Sequence, residues 1–373
     1  MIMANKTYET WAEIDLGAVE NNLKQVQNIS GLPAAAVLKA DAYGHGVLPV
    51  SRAAVKAGAV FLAVARFSEA RELRNAGFTE PILVLGMIPP ENVIEASIMK
   101  VRGILFNLEQ IALYENILRG TGHTLMVHVK IDSGMGRLGF AAEDGLRLIR
   151  AVKDSTYLEA EGLCTHLARA DEPGADTTDW QLDRFDRLLA EAEASGLRPR
   201  IVHTGNSAGS LFHKRCGKYD MVRAGVAMYG MNPSPEAPLP EGFRQALSWK
   251  AGITSVKMIP GGRGISYGHR YITHGEEQRV GVIPVGYADG YRRVQGNRVL
   301  VHGQSVPVIG NICMDQCMID LTDVPDAVIG DEAVLIGTQG NASITAEDVA
   351  AVWGTINYEV TCGIAHRVNR FYF

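Results

Sequence analysis

A lysine that closes an apolar run is chemically unusual, and this chain has one at Lys39, directly after Ala34-Ala-Ala-Val-Leu38. Burial disfavours an ammonium ion and leaves a neutral amine, the form that condenses with a carbonyl to a Schiff base. Position alone favours a plainer reading, a lysine snorkelling into solvent. Other reactive side chains recur at the same place relative to apolar runs. Lys130 stands near the end of a fifth run and His166 follows a sixth. Asn206 and Ser207 follow a seventh, and Arg223 and Gly225 close an eighth. Parallel strands in one barrel would open all of these groups on the C-terminal face, where barrel enzymes keep their active sites.

The runs that must position them are Ala34–Leu38, Val60–Val64, Ile82–Leu85, Val101–Phe106, Leu125–Ile131, Leu158–Cys164, Arg200–His203 and Tyr219–Arg223. Segments with helical spacing lie between them. One starts at Ser68 as N-cap and stops at Gly77; Ala142–Lys153 and Asp179–Ser195 are two more. Eight strands alternating with helices predict an α/β fold, a (β/α)8 TIM barrel, with an open doubly wound sheet as the structural alternative. Pro233, Pro235, Pro238 and Pro240 then mark a linker. Beyond it short β-like runs dominate, with one late helix at Ala346–Val352. The expected domains are a barrel over 13–240 and a C-terminal, mostly β domain over 241–373, with residues 1–12 packed against the latter.

The 373 residues exclude a single small module, and 47% hydrophobic with 21% charged residues is an ordinary globular mix. With 36 basic against 41 acidic residues the net charge is −5, so no basic excess serves a nucleic-acid partner. Five scattered cysteines without a C-x-x-C, and histidines without H-x-H or H-E-x-x-H, give no reason to expect disulfides or a metal site. The first ten residues lack a secretory pattern. No apolar run approaches the ~18–20 residues that span a bilayer. The expectation is a cytoplasmic protein with no membrane partner. The 40 glycines exceed the usual share.

The stretch Val37-Leu-Lys-Ala-Asp-Ala-Tyr-Gly-His-Gly46 resembles the pyridoxal phosphate attachment motif of the alanine racemase family. Further blocks follow in family order: Thr10-Trp-Ala-Glu-Ile-Asp-Leu16, Lys130-Ile-Asp-Ser-Gly-Met-Gly-Arg-Leu-Gly139, Thr165-His166, His203-Thr-Gly-Asn-Ser-Ala208 and Val222-Arg-Ala-Gly-Val226. Ser266-Tyr-Gly268, Val285-Gly-Tyr-Ala-Asp-Gly-Tyr-Arg292, Ile312-Cys-Met-Asp-Gln316 and Asn357-Tyr-Glu359 complete the set. Ten glycines fall inside these blocks, which ties much of the glycine excess to backbone held close around a small phosphorylated ligand.

The resemblance implies a homodimer that interconverts L- and D-alanine with pyridoxal 5′-phosphate, supplying D-alanine for peptidoglycan. Lys39 would hold the cofactor and act as one base; Tyr267 of the partner subunit would be the other. Two bases are needed because the proton leaves one face of Cα and arrives on the opposite face. A phenol, with pKa ~10, is a poor base at neutral pH unless its surroundings help. In the family His166 and Arg223 provide that help. Arg223 also faces the pyridine nitrogen, as a donor only. Tyr43, Ser207, Gly225, Val226 and Tyr358 would hold the phosphate. Arg137 would contact the phenolic oxygen of the cofactor and, with the Met314 backbone, hold the substrate carboxylate, with Lys130, carbamylated, orienting Arg137. Tyr287 and Tyr358 would form a narrow entrance, with Arg292 and Asp171 farther out.

Three positions depart from the family pattern: Arg169, His269 and Asn369, the last standing where proline is common. Serine or broad-specificity racemases are alternatives, as is a decarboxylase of basic amino acids on the same fold type. A non-catalytic carrier of the cofactor leaves the β domain unexplained.

Overall fold

Strands buried on both faces need not alternate, and Ala34–Val37, Phe61–Val64 and Ile82–Val84 are buried at every residue. The structure, a computed structural model describing residues 8–373, lines these up in parallel with Val101–Leu105, Leu125–Asp132, Leu158–Cys164 and Ile201–His203. Val222–Ala224 pairs with Ala34–Val37, and a parallel bridge joins His203 to Met221. The ring therefore comes round to a nearly closed eight-stranded barrel. Ala35, Phe61, Leu83, Ile104 and Met221 fill part of its interior.

The chain divides into two compact units. One comprises 19–42 and 47–244; the other, of the described residues, comprises 8–18, 43–46 and 245–373. Residues 13–18 thus go with the β unit, and the division falls after 244. The reason is Thr10–Ile14, which pairs antiparallel with Leu247–Gly252 and parallel with Asn369–Tyr372 in a ten-stranded sheet. Residues 1–7 of the expected N-terminal segment lie outside the described residues. Asn369 opens its strand, a position that proline also tolerates, so this departure disturbs no ladder bond. The β core centres on Trp249, Tyr291 and Trp353 packed edge to face.

Two local features position Lys39. After Leu38 the backbone turns left-handed, with φ between +53° and +56° at Ala40, Asp41, Ala42 and Tyr43 and +81° at Gly44. Each non-glycine residue there costs about 1–2 kcal/mol. Hydrogen bonds offset this: Ala42 N–H donates to the Leu38 carbonyl (2.8 Å), and the Asp41 carboxylate accepts from Val47 N–H (2.6 Å). Ala40 N–H donates to Glu69 (2.7 Å). Glu69 is the second feature. Its carboxylate also takes Ala65 N–H (2.8 Å) and Arg66 N–H (2.9 Å) at the start of helix Phe67–Asn75. Ser68 is therefore not the N-cap; a longer acceptor reaches three open donors where a hydroxyl would reach one. Gly77, at φ +89°, does end that helix.

Ala40 is exposed, so Ala40→Gly relieves strain without loss of packing and should stabilise the protein by about 0.5–1 kcal/mol, read as a higher thermal midpoint. Gly44→Ala should lower it, because the new Cβ would lie 2.1 Å from the Thr361 carbonyl oxygen.

Candidate active site

Lys39 is half-buried at the head of the left-handed turn. Lys130 lies within Leu125–Asp132, its Nζ donating to the Ile131 carbonyl (3.1 Å). Desolvation, helped by the nearby Arg223 and Arg137 charges, brings its pKa down to about 8. The loop beyond is wound around one carboxylate oxygen. Asp132 Oδ1 accepts from Gly134 (2.8 Å), Met135 (2.8 Å) and Gly136 (3.1 Å). Burial pushes against ionisation, yet these three N–H groups hold the Asp132 carboxyl below its ordinary range. Arg137 is exposed in this loop.

Arg223 is buried in the barrel with both terminal nitrogens committed. Nη1 donates to His203 Nδ1 (2.8 Å) and the His203 carbonyl (3.2 Å). Nη2 faces the carbonyls of Thr165 (3.0 Å) and Thr204 (2.8 Å) and His166 Nδ1 (3.2 Å). Among the described residues Nε–H meets no protein acceptor. Burial, then Arg223 and the other nearby cations, pushes His166 well below the ordinary histidine range, so its ring is neutral.

Asn206 caps helix Ser207–Phe212, accepting from Gly209 N–H (2.9 Å), which leaves Ser207 for other work. Ser207 Oγ accepts from Gly225 N–H (3.0 Å) and Ala227 N–H (3.2 Å). Its own proton remains available to donate. Val226, between those two residues, starts a helical turn, where a first N–H has no partner within the turn. Ser207 O–H and Val226 N–H are thus brought together as donors suited to an anion, with Gly225 beside them holding the Ser207 oxygen.

The β unit places the remaining residues on its own loops. Tyr267 sits in a tight turn, 69% exposed, with its carbonyl held by Asn311 Nδ2 (2.6 Å). Tyr287 N–H donates to the Cys313 carbonyl (3.1 Å) and Ala288 N–H to that of Met314 (3.0 Å). Gly286 permits this closeness; a Cβ there would lie 2.1 Å from the Met314 oxygen. Tyr267 and Tyr287 line one surface recess with Arg293 and Ile312, and Met314 is also exposed.

Arg292 pairs with Glu359 and lies 5.4 Å over the Trp353 ring. Tyr358 stands 6.0 Å from Tyr43, centroid to centroid, and burial pushes the Tyr43 phenol up. Asp171, in the barrel unit, accepts from Ser234 Oγ through its carbonyl (2.8 Å). Arg169 is paired with Glu172, which cancels its charge locally. His269 packs over Gly264, whose missing side chain makes the room. Cys313 and Cys317 are unlinked thiols, and burial pushes Cys317 up.

Sequence reasoning missed His128, Glu161 and the side chain of His203, all buried polar groups in the barrel behind Arg223. The available signal was polar residues inside otherwise apolar strands. Among the described residues, no group of three or more His, Cys, Asp or Glu could hold a metal ion, and no helix is long and apolar enough to cross a membrane.

A parallel barrel with a lysine after one strand, a donor-only guanidinium in its interior and a serine-backbone donor cluster, joined to a β unit, defines a barrel enzyme class. The comparisons narrow it. The alanine racemase N-terminal domain family matches residues 14–233, and the C-terminal domain family matches 246–372. The chain is 44% identical to an alanine racemase of Symbiobacterium thermophilum over 366 residues, covering 97% of each. An alanine racemase of Bacillus anthracis solved with bound L-Ala-P superposes with a TM-score of 0.92 at 38% identity, over 98% of this chain and 95% of that one. A histidine racemase from Leuconostoc mesenteroides superposes at 0.90 with 31% identity, over 98% of both. The chain belongs to the alanine racemase family.

Ser207→Ala strands two buried N–H groups. It should destabilise the protein by about 1–3 kcal/mol in denaturant unfolding, although it removes a single oxygen.

Proposed function

We propose that this protein interconverts L-alanine and D-alanine, with pyridoxal 5′-phosphate as cofactor. The observation that carries the reading is the donor set at the barrel's strand ends: Ser207 O–H and Val226 N–H for a phosphate, and one uncommitted N–H on Arg223 for a ring acceptor. A phosphorylated pyridine aldehyde fits that set, with Lys39 as the amine that holds it. Tyr43, Gly225 and Tyr358 complete the phosphate contacts in this reading. When bound, the cofactor withdraws electrons from an attached amino acid and acidifies its Cα.

The chain's own residues do the rest. Lys39 moves a proton at one face of Cα and Tyr267 of the partner subunit moves one at the other. The exposure of Tyr267, Tyr287 and Met314 supports a homodimer in which a second subunit covers them. His166, neutral and next to Arg223, is suited to meet a phenol as a hydrogen-bond partner. Arg223 donates without giving up its proton, so the ring nitrogen stays unprotonated. Arg137 and the Met314 N–H take the substrate carboxylate. Tyr287 and Tyr358 narrow the approach to a side chain of methyl size, with Arg292 and Asp171 outside them. The product would serve cell-wall synthesis in the cytoplasm.

Lys130 is proposed to be carbamylated. An amine with a pKa near 8 is largely neutral at mildly alkaline pH and adds CO2, releasing a proton and becoming an anion. That anion pairs with Arg137, whereas an ammonium is repelled by Arg137 and Arg223. The linkage has a definite sign. The unfolded chain binds the Lys130 proton up to pH ~10.5. The folded chain gives it up above about 8, so the burial penalty is complete below pH 8 and fades between 8 and 10.5.

The purified protein should form D-alanine from L-alanine; formation of CO2 from L-lysine, or preferential turnover of L-serine or L-histidine, would displace this reading. Lys39→Ala and Tyr267→Phe should each abolish racemisation, and mixing the two should restore part of it through mixed dimers. Bicarbonate at pH 8–9 should raise the thermal midpoint and add the mass of one CO2, with neither effect in Lys130→Met. A free amine at Lys130 under those conditions would refute carbamylation.

A further inference from the structure

Behind Arg223 a line of buried polar groups crosses the barrel interior. Arg223 Nη1 lies 2.8 Å from His203 Nδ1, His203 Nε2 lies 2.8 Å from His128 Nδ1, and His128 Nε2 lies 3.2 Å from Glu161 Oε2. His128 and His203 are fully buried, and the Glu161 side chain is 1% exposed. Two arginines hold the far end: Arg102 Nε at 3.1 Å and Arg200 Nη2 at 2.5 Å from the Glu161 oxygens.

The backbone is shaped for this line. Strand Leu125–Asp132 pairs Val127 with Ala160 but His128 with Gly162, so Glu161 is the extra residue of a bulge. Bulges re-aim side chains, and this one carries a carboxylate into the barrel. Gly162 completes the fit, since a Cβ there would lie 2.4 Å from His128 Nδ1. A buried acid, two buried imidazoles and a bulge have no packing advantage over apolar residues.

The chemistry of the two ends decides what lies between. A guanidinium only donates and a carboxylate only accepts. Burial pushes both rings below the ordinary histidine range, with Glu161 pulling His128 the other way, so both are neutral. Burial would raise the Glu161 carboxyl, but the hydrogen bonds from His128 and Arg102 bring it down to about 2. For two neutral rings only one proton arrangement gives every contact one donor and one acceptor. His128 donates from Nε2 to Glu161 and accepts at Nδ1. His203 donates from Nε2 to His128 and accepts at Nδ1 from Arg223.

We propose that Glu161 is a remote positioning residue for Arg223: through His128 and His203 it ensures that a lone pair, not an N–H, faces the guanidinium. The engaged Nη1 and Nη2 then hold the plane of Arg223, with Nε–H left for the ring acceptor of the cofactor. Reversing the chain would set a His203 N–H against an Arg223 N–H and drive the guanidinium from its place. The inference rests on the proposed cofactor only for the last contact; the proton arrangement stands or falls independently.

The test is ¹⁵N NMR of the histidine-labelled holoenzyme, with the absorption band of the bound cofactor and steady-state kinetics alongside. Wild type should show both rings protonated at Nε2 alone. Glu161→Leu should mix the tautomers at His128 and His203 and shift the absorption band. It should lower kcat about ten-fold, the scale of one unsatisfied buried hydrogen bond, with KM little changed. Glu161→Gln, whose amide oxygen can accept the same N–H, should restore the tautomers and most of the rate. Arg200→Gln, which removes an exposed partner of Glu161, should leave the tautomers as in wild type. A proton on His203 Nδ1 in wild type overturns the proposal, as do unchanged tautomers and absorption in Glu161→Leu. Should that variant not fold, wild type and Glu161→Gln decide. Expected tautomers without alanine racemisation would sink the functional reading and leave the relay intact.

Discussion

One buried charge organises the barrel end. A guanidinium has five donors, no acceptor and no neutral form at any relevant pH, so everything it touches must accept. Arg223 meets that demand with the carbonyls of Thr165, His203 and Thr204 and with ring nitrogens of His166 and His203. Thr165 and Thr204 lie just past the ends of the strands Leu158–Cys164 and Ile201–His203, where the ladders stop and their carbonyls can turn to Arg223. The same charge sets its neighbours' states. It helps keep His166 and His203 neutral and helps push Lys130 down. A lone buried cation would be costly; this one is offset by hydrogen bonds rather than by a paired carboxylate in contact.

The second constraint is conformational. Lys39 stands at the start of a turn with four successive non-glycine residues at positive φ. Strain of this kind persists only where surroundings over-determine it. Here Glu69 and Asp41 bind the backbone across the turn, and Gly44 passes against the Thr361 carbonyl where no side chain fits. A right-handed turn would send the segment after Lys39 along a different path. The lysine and the strain are therefore one design: the turn fixes where the amine starts and where the chain goes next.

What was legible in the sequence follows from what is local. Runs such as Phe61–Val64 are apolar because both faces are covered, so the eight barrel strands and their reactive ends could be read directly. Thr10–Ile14 could not be assigned a partner, because its pairing with Leu247–Gly252 and Asn369–Tyr372 is a fact of topology. Ala-Asp-Ala-Tyr carries no sign of a left-handed turn, since no glycine interrupts it. Ser68 looked like a cap because hydroxyls usually are, and Glu69 took the role through reach. The bulge at Glu161 was hidden for a further reason: it is a relation between two strands, not a property of either. Motif resemblance supplied site residues in both units, yet left out Glu161 and His128 and gave the His203 ring no role, because only packing brings these groups into line.

The two units differ in how they hold reactive groups, and the difference bears on the proposed dimer. In the barrel Arg223 and Ser207 are buried and anchored by several hydrogen bonds while each keeps one proton to donate, which holds them in place before any ligand arrives. In the β unit Tyr267, Tyr287 and Met314 stand on loops, more than two-fifths exposed, with their backbones rather than their side chains fixed. Side chains this exposed sit in water, where the high dielectric screens their interactions. Loop backbones pinned this firmly nevertheless present the side chains in one direction. That combination, rigid support under an uncovered reactive surface, is what a group needs if its electrostatic environment is to come from another subunit. Covering the surface would then do two things at once: exclude water from the phenol and set its charge environment from the other subunit.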